Sequence, residues 1–184
     1  TRYETLFPYT TLFRSVIADY GHNPDAIAAL VAATEAMPAQ RRSVVISGAG
    51  DRRDEDIRAQ TQILGASFDE VLLYQDACQR GRADGEVLGL LRDGLKGARR
   101  TRHVQEIHGE FIAIDTALES LDKGDLCLIL IDQVDEALAH IQQRVAAARP
   151  AAPARRTRKK AASPRGARAR DTQEAGKAGA ALAP

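Results

Sequence analysis

Short apolar runs alternate five times with helix-length segments between Val16 and Ala148, and this alternation restricts the fold more than any single residue does. VIADY (16–20), RSVVISGAG (42–50), EVLLY (70–74), HVQEI (103–107) and CLILID (127–132) read as strands. Helical spacing fills the intervals: PDAIAALVAATEAM (24–37), 53–65, 84–97, GEFIAIDTALESL (109–121) and QVDEALAHIQQRVAAA (133–148). Pro24 suits a first helical turn, where its missing N–H costs nothing. Nearly continuous apolar strands joined by helices predict a mostly parallel sheet covered on both faces. Right-handed crossovers make this a Rossmann-like, doubly wound α/β fold. Ligands in such folds meet the loops beyond the carboxyl ends of the strands. The residues of interest therefore follow Tyr20, Ser47, Tyr74 and Ile131.

The 184 residues suit one domain with appendages, and 44% of them are hydrophobic, enough for a core. No apolar run approaches the ~18 residues of a membrane span. Cys78 and Cys127 lie far apart with no metal-type spacing, so they read as reduced thiols of a cytoplasmic protein. The net charge of +1 conceals an asymmetry. From Arg149 onward ten Lys/Arg face two Asp/Glu, whereas the remainder is acidic. The tail, RPAAPARRTRKKAASPRGARAR and beyond, is Ala, Pro, Gly and Arg with almost no large apolar residue. Such a segment cannot offset the entropy of ordering, so 149–184 is expected to be disordered. A solvated extension accounts for it, and counterion release would let it hold an anionic polymer.

Three loops concentrate polar groups. In DYGHNPDA (19–26), Asp19 is able to accept from ribose hydroxyls, His22 to stack on or bond a base, and Asn23 to shape the turn. A plain turn with a helix cap explains the same letters. SGAGDRRDED (47–56) sets glycines after a strand, which permits close approach of a ligand to backbone. It lacks the third glycine of the dinucleotide fingerprint, and no GK[ST] occurs in the chain. Asp51 and Arg52 are the binding candidates there, and a salt-bridged helix start is the alternative. QDACQRGRADGE (75–86) brings two arginines and three acids together. Arg80 or Arg82 would fork onto an α-carboxylate, and Asp76, Asp84 or Glu86 would face a cation. A solvated loop with a helix cap at Asp84 explains it equally. The fourth loop offers Asp132, Gln133 and Asp135 and reads as structural. His103, His108 and His140 have no partner at metal or catalytic spacing, and no metal site or nucleophilic catalytic residue is assigned.

Taken together, these loops resemble the C-terminal domain of the Mur ligases and folylpolyglutamate synthetases. DYGHNPDA is similar to their DYAHNP-type motif and GAGDRRDED to their GDRD-type segment. QDACQRGRADGE stands where their acceptor-recognition loop stands. The run through SGAGDRRDEDI, RGRADGE and GDL to DQVDEAL resembles the cyanophycin synthetase branch, over residues 16–142. IDQVDEA replaces the GKGHE-like segment of the cell-wall enzymes. This resemblance implies an ATP-dependent amide ligase, in which an acyl phosphate is attacked by an amine. In that branch, arginine is added to the side-chain carboxyl of poly-aspartate. It also implies that Asp19, His22 and Asn23 serve the ATP ribose and base, that Asp51 and Arg52 lie near the phosphates, and that Arg80, Arg82 and Asp84 hold the incoming arginine.

ATP and Mg2+ would be held mainly by a P-loop in a central domain, so ligase activity is not expected of this chain alone. A homo-oligomeric full-length enzyme follows from the same resemblance; a nucleic-acid partner does not. Other readings are a Mur-type ligase with a different acceptor and a non-catalytic module binding nucleotide or anionic polymer. TLFPYTTLFRS (5–15) resembles the translation of a short-read sequencing adapter, so 1–15 is expected to be a leader foreign to the domain at 16–148.

Overall fold

The computed structural model describes residues 14–76 and 78–148. The expectations for 149–184, and for the leader before Arg14, lie outside them. Ten elements alternate: β1 (Ser15–Asp19), α1 (Pro24–Glu35), β2 (Arg42–Ile46), α2 (Asp54–Ser67), β3 (Glu70–Gln75), α3 (Glu86–Gly94), β4 (His103–His108), α4 (Glu110–Glu119), β5 (Leu126–Leu130) and α5 (Val134–Ala148). Every strand pair is parallel, in the order β1-β5-β2-β3-β4.

Period-two alternation along the central strands divides the core in two. Val44, Ile46, Val71, Leu73 and Leu128 pack on Ile27 of α1, Ile57 and Leu64 of α2 and Leu88 and Leu91 of α3. Val45, Leu72, Tyr74, Cys127 and Ile129 turn to the opposite face, against Ala113, Ile114 and Ala117 of α4 and Ile141 of α5. Burying each such Leu or Ile contributes roughly 1.5–3 kcal/mol. The expected doubly wound sheet is therefore present, with three helices on one face and two on the other.

Local chemistry sets the boundaries. Asn23 caps α1, its Oδ1 accepting from the Ala26 N–H at 2.8 Å, and Pro24 occupies the first turn. α3 starts at Glu86, not at 84, and it follows Gly85 in a left-handed conformation (φ 74°). Asp84 does not cap it; its carboxylate accepts from the Gln75 amide instead. β5 stops at Leu130, so Asp132 lies in the loop beyond the strand.

The amino ends of the strands are tied by arginines. Arg41 pairs with Asp125 at 3.0 Å and Glu70 at 3.2 Å. Arg100 forks onto Asp69 through two 2.9 Å bonds. Cys78 is exposed, Cys127 is buried, and both are free thiols. Burial pushes the Cys127 thiol up to about 12, so it behaves as an apolar side chain. No helix among the described residues is long and apolar enough to cross a membrane.

Candidate functional site

The strand order places a crevice at the carboxyl end of the sheet. The chain leaving β1 turns onto one face and the chain leaving its neighbour β5 turns onto the other, and ligands bind at such a reversal. Loops after four strands meet there.

The first loop is held in shape by its own side chains. Asp19 Oδ1 accepts from the Gly21 N–H at 2.8 Å. His22 Nδ1 lies 2.6 Å from the Tyr20 carbonyl oxygen. A carbonyl only accepts, so Nδ1 is the donor in this contact. The rings of Tyr20 and His22 lie 4.5 Å apart, and Tyr20 is 52% exposed. From α2, the buried Gln60 donates to the His22 carbonyl at 3.1 Å. His22 Nε2 then sits 3.6 Å from Asp132 Oδ1.

The second and third loops are locked together. A Cβ on Gly50 would drive into the Gln79 carbonyl, and one on Gly48 would crowd Val87 Cγ1 at 2.8 Å. Gly50 therefore serves close approach of one loop to another, and Gly48 lets its loop pack on α3. Arg82 seals the join: it donates to the carbonyls of Gly50 at 2.8 Å and Arg52 at 2.7 Å. It also pairs with Asp54 at 2.8 Å and Glu86 at 2.7 Å. Arg53 pairs with Asp56 and Glu55, as a salt-bridged helix start would. The Arg52 side chain is exposed and makes no ion pair among the described residues.

Arg80 alone among non-glycine described residues has a positive φ, 49°. Such backbone costs of order 1–3 kcal/mol and concentrates at functional sites. The conformation carries its guanidinium to Asp132 at 3.1 Å and Asp51 at 3.5 Å. Asp132 is thus the hub of the fourth loop, read from sequence as structural. Burial raises its carboxyl above the ordinary range and the Asp76 carboxyl beside it adds to this, against Arg80 and His22.

Of the candidates, His22, Asp51 and Arg80 converge on this hub or on each other. Asp19 and Asn23 shape the first loop, Arg82 and Asp84 shape the third, and Arg52 stands apart. His140, unpaired in the sequence reading, bonds Asp115 at 2.8 Å across α4 and α5, away from this cluster.

Known proteins resemble this chain in sequence and in fold. The family described as Mur ligase, glutamate ligase domain, matches residues 10–130. This chain belongs to the Mur ligase family. Its relatives include the cyanophycin synthetase of Crocosphaera subtropica, 36% identical over 128 residues, 70% of this chain and 15% of that protein. The UDP-N-acetylmuramoyl-L-alanyl-D-glutamate–2,6-diaminopimelate ligase of Bradyrhizobium diazoefficiens is 32% identical over 114 residues, covering 62% and 22%. The Mur ligase domain here thus spans only a small part of each relative's length. Among solved structures, a UDP-N-acetylmuramoyl-L-alanyl-D-glutamate–2,6-diaminopimelate ligase superposes with TM-score 0.55 at 22% identity, covering 72% of this chain and 30% of its own. Escherichia coli FolC in complex with ADP superposes with TM-score 0.53 at 22% identity, covering 76% and 31%. Both likenesses concern the fold.

Proposed function

We propose that this Mur ligase domain serves an ATP-dependent ligase of the cyanophycin synthetase kind, which adds arginine to the side-chain carboxyl of poly-aspartate. The observation that carries this reading is the convergence of His22, Arg80 and Asp132 at the sheet's reversal point. A cation and a carboxylate held side by side complement the α-carboxylate and amine of an incoming amino acid. Arg80 exchanges Asp132 for the substrate carboxylate, as a fork-to-fork pair. Asp132, so released, faces the substrate's ammonium or guanidinium, with Asp84 at the rim. The chemistry then depends on positioning and charge stabilisation more than on a protein nucleophile.

The residues fit a nucleotide at the neighbouring loop. One Asp19 oxygen is engaged by Gly21, and the other is available to ribose hydroxyls. The exposed Tyr20 ring and His22 offer a face for a base, and the family resemblance assigns Asp51 and Arg52 to the phosphate side. Bound ATP supplies the phosphoryl group that activates the carboxylate. Mg2+ in nucleotide sites is held by one or two carboxylates together with phosphate oxygens and water, so it would come with the triphosphate. Metal and triphosphate are assigned to another domain of the longer ligase.

The test is a domain exchange. Residues 14–148 replace the matching segment of the Crocosphaera subtropica cyanophycin synthetase, and ATP-dependent incorporation of radiolabelled arginine into poly-aspartate is measured. Arginine incorporation supports the reading. Incorporation of a different amino acid points to a Mur-type ligase with another acceptor, which the likeness to the diaminopimelate ligases favours. A soluble, folded chimera inert with every amino acid overturns the assignment.

A further inference from the structure

Glu110 opens α4 and is 3% exposed, a carboxyl group carried into the interior. Its carboxylate reaches across to the loop after β5 and accepts from the N–H of Asp132 at 2.8 Å and of Gln133 at 3.2 Å. These are the two amides that lead into α5, whose first intrahelical bond is made by the Gln133 carbonyl at 2.8 Å. A buried carboxylate is costly unless its lone pairs are satisfied, and the positive end of a helix lowers that cost further. Tyr74 lies on the other side of Glu110, neutral because of burial and the surrounding carboxylates, and its hydroxyl donates to the Leu130 carbonyl at 3.3 Å. Glu110 therefore grips the segment between Leu130 and α5 at the residue that receives Arg80 and His22.

We infer that Glu110 is a positioning residue of the ligase site: it sets the place of Asp132, and through it of Arg80 and His22. This inference rests on the proposed function for its catalytic meaning, but its structural content is testable in the chain alone. Glu110→Gln keeps the shape and removes the charge; Glu110→Asp keeps the charge and shortens the reach. Heteronuclear NMR of the 184-residue chain at one fixed pH is the measurement. For Glu110→Gln, the Asp132 and Gln133 amide protons are expected to move upfield and lose exchange protection. The Arg80 guanidinium and His22 ring signals are expected to shift toward their positions in Asp132→Asn. Signals of Arg41 and Arg100, at the far end of the sheet, stay in place. Glu110→Asp recovers part of the change. If Glu110→Gln does not fold, the same signals in Glu110→Asp decide. Unmoved Arg80 and His22 signals in a folded Glu110 variant, or shifts spread evenly over the sheet, overturn the inference. A catalytic failure of the domain exchange would leave this result standing.

Discussion

Arg80 and Asp132 meet at 3.1 Å although 52 positions separate them, one in the loop after β3 and the other in the loop after β5. The pair joins the two ends of the crevice, and His22 approaches the same carboxylate oxygen from the loop after β1.

The first prediction concerns the charge of that hub. Burial and Asp76 raise the Asp132 carboxyl, while Arg80 lowers it. Arg80→Ala is expected to raise the Asp132 titration midpoint further, and Asp76→Asn to lower it. A carboxyl raised in the folded state contributes stability below its unfolded value, ~3.9, and loses it as pH rises through the folded value. Asp132→Asn should therefore gain on the parent chain as pH rises across that window. Carbon-detected NMR titration of Asp132 and urea unfolding across pH check both signs; equal and same-direction shifts in the two variants would refute the assignment.

A second prediction separates two glycines. Gly50→Ala forces a methyl into the Gln79 carbonyl and should cost about 1–3 kcal/mol, with loosening of the loops that Arg82 joins. Gly89, inside α3, has open space where a Cβ would go, the nearest atom being 3.9 Å away. Gly89→Ala should stabilise by about 0.5–1 kcal/mol, because it restricts the unfolded chain and favours helix. Urea unfolding of the two variants is the check, and equal effects would be incompatible with the loop contact.

The third prediction lies at the opposite end of the sheet. Burial alone would raise the Asp69 carboxyl. The Arg100 fork and the Arg42 N–H outweigh it, and the nearby guanidinium charges help hold the group below its usual range. Stability from a lowered carboxyl is present above its unfolded value, ~3.9, and is lost as pH falls through the folded value. Asp69→Asn should destabilise the chain at pH 7 and make little difference once both forms are protonated. Denaturant midpoints measured from about pH 2 to 7 test this; a constant difference across that range would mean that charge plays no part there.

Much of this was written into the order of residues. Apolar runs such as EVLLY and CLILID, charged only at one end, demand cover on both sides, and with helix-length segments between them that implies a parallel sheet wound twice. Asn23 and Pro24 announce α1 through chemistry confined to a few neighbouring residues. The loops carrying Asp19, His22, Asp51 and Arg80 were found because parallel sheets place binding groups beyond their strand ends.

What only the tertiary structure decided is which of those groups meet. Asp132 and Glu110 looked ordinary in sequence, one at the end of an apolar run and the other at the start of a helix. Their partners, Arg80 and the Asp132 N–H, are 52 and 22 positions away. Arg82 looked like a twin of Arg80, yet close approach at Gly50 turned its fork toward backbone carbonyls. Local pattern determines the elements because hydrogen bonding and burial act along the chain. Pairing across loops depends on how the strands are ordered, and β5 slipping between β1 and β2 is what brings Asp132 beside His22.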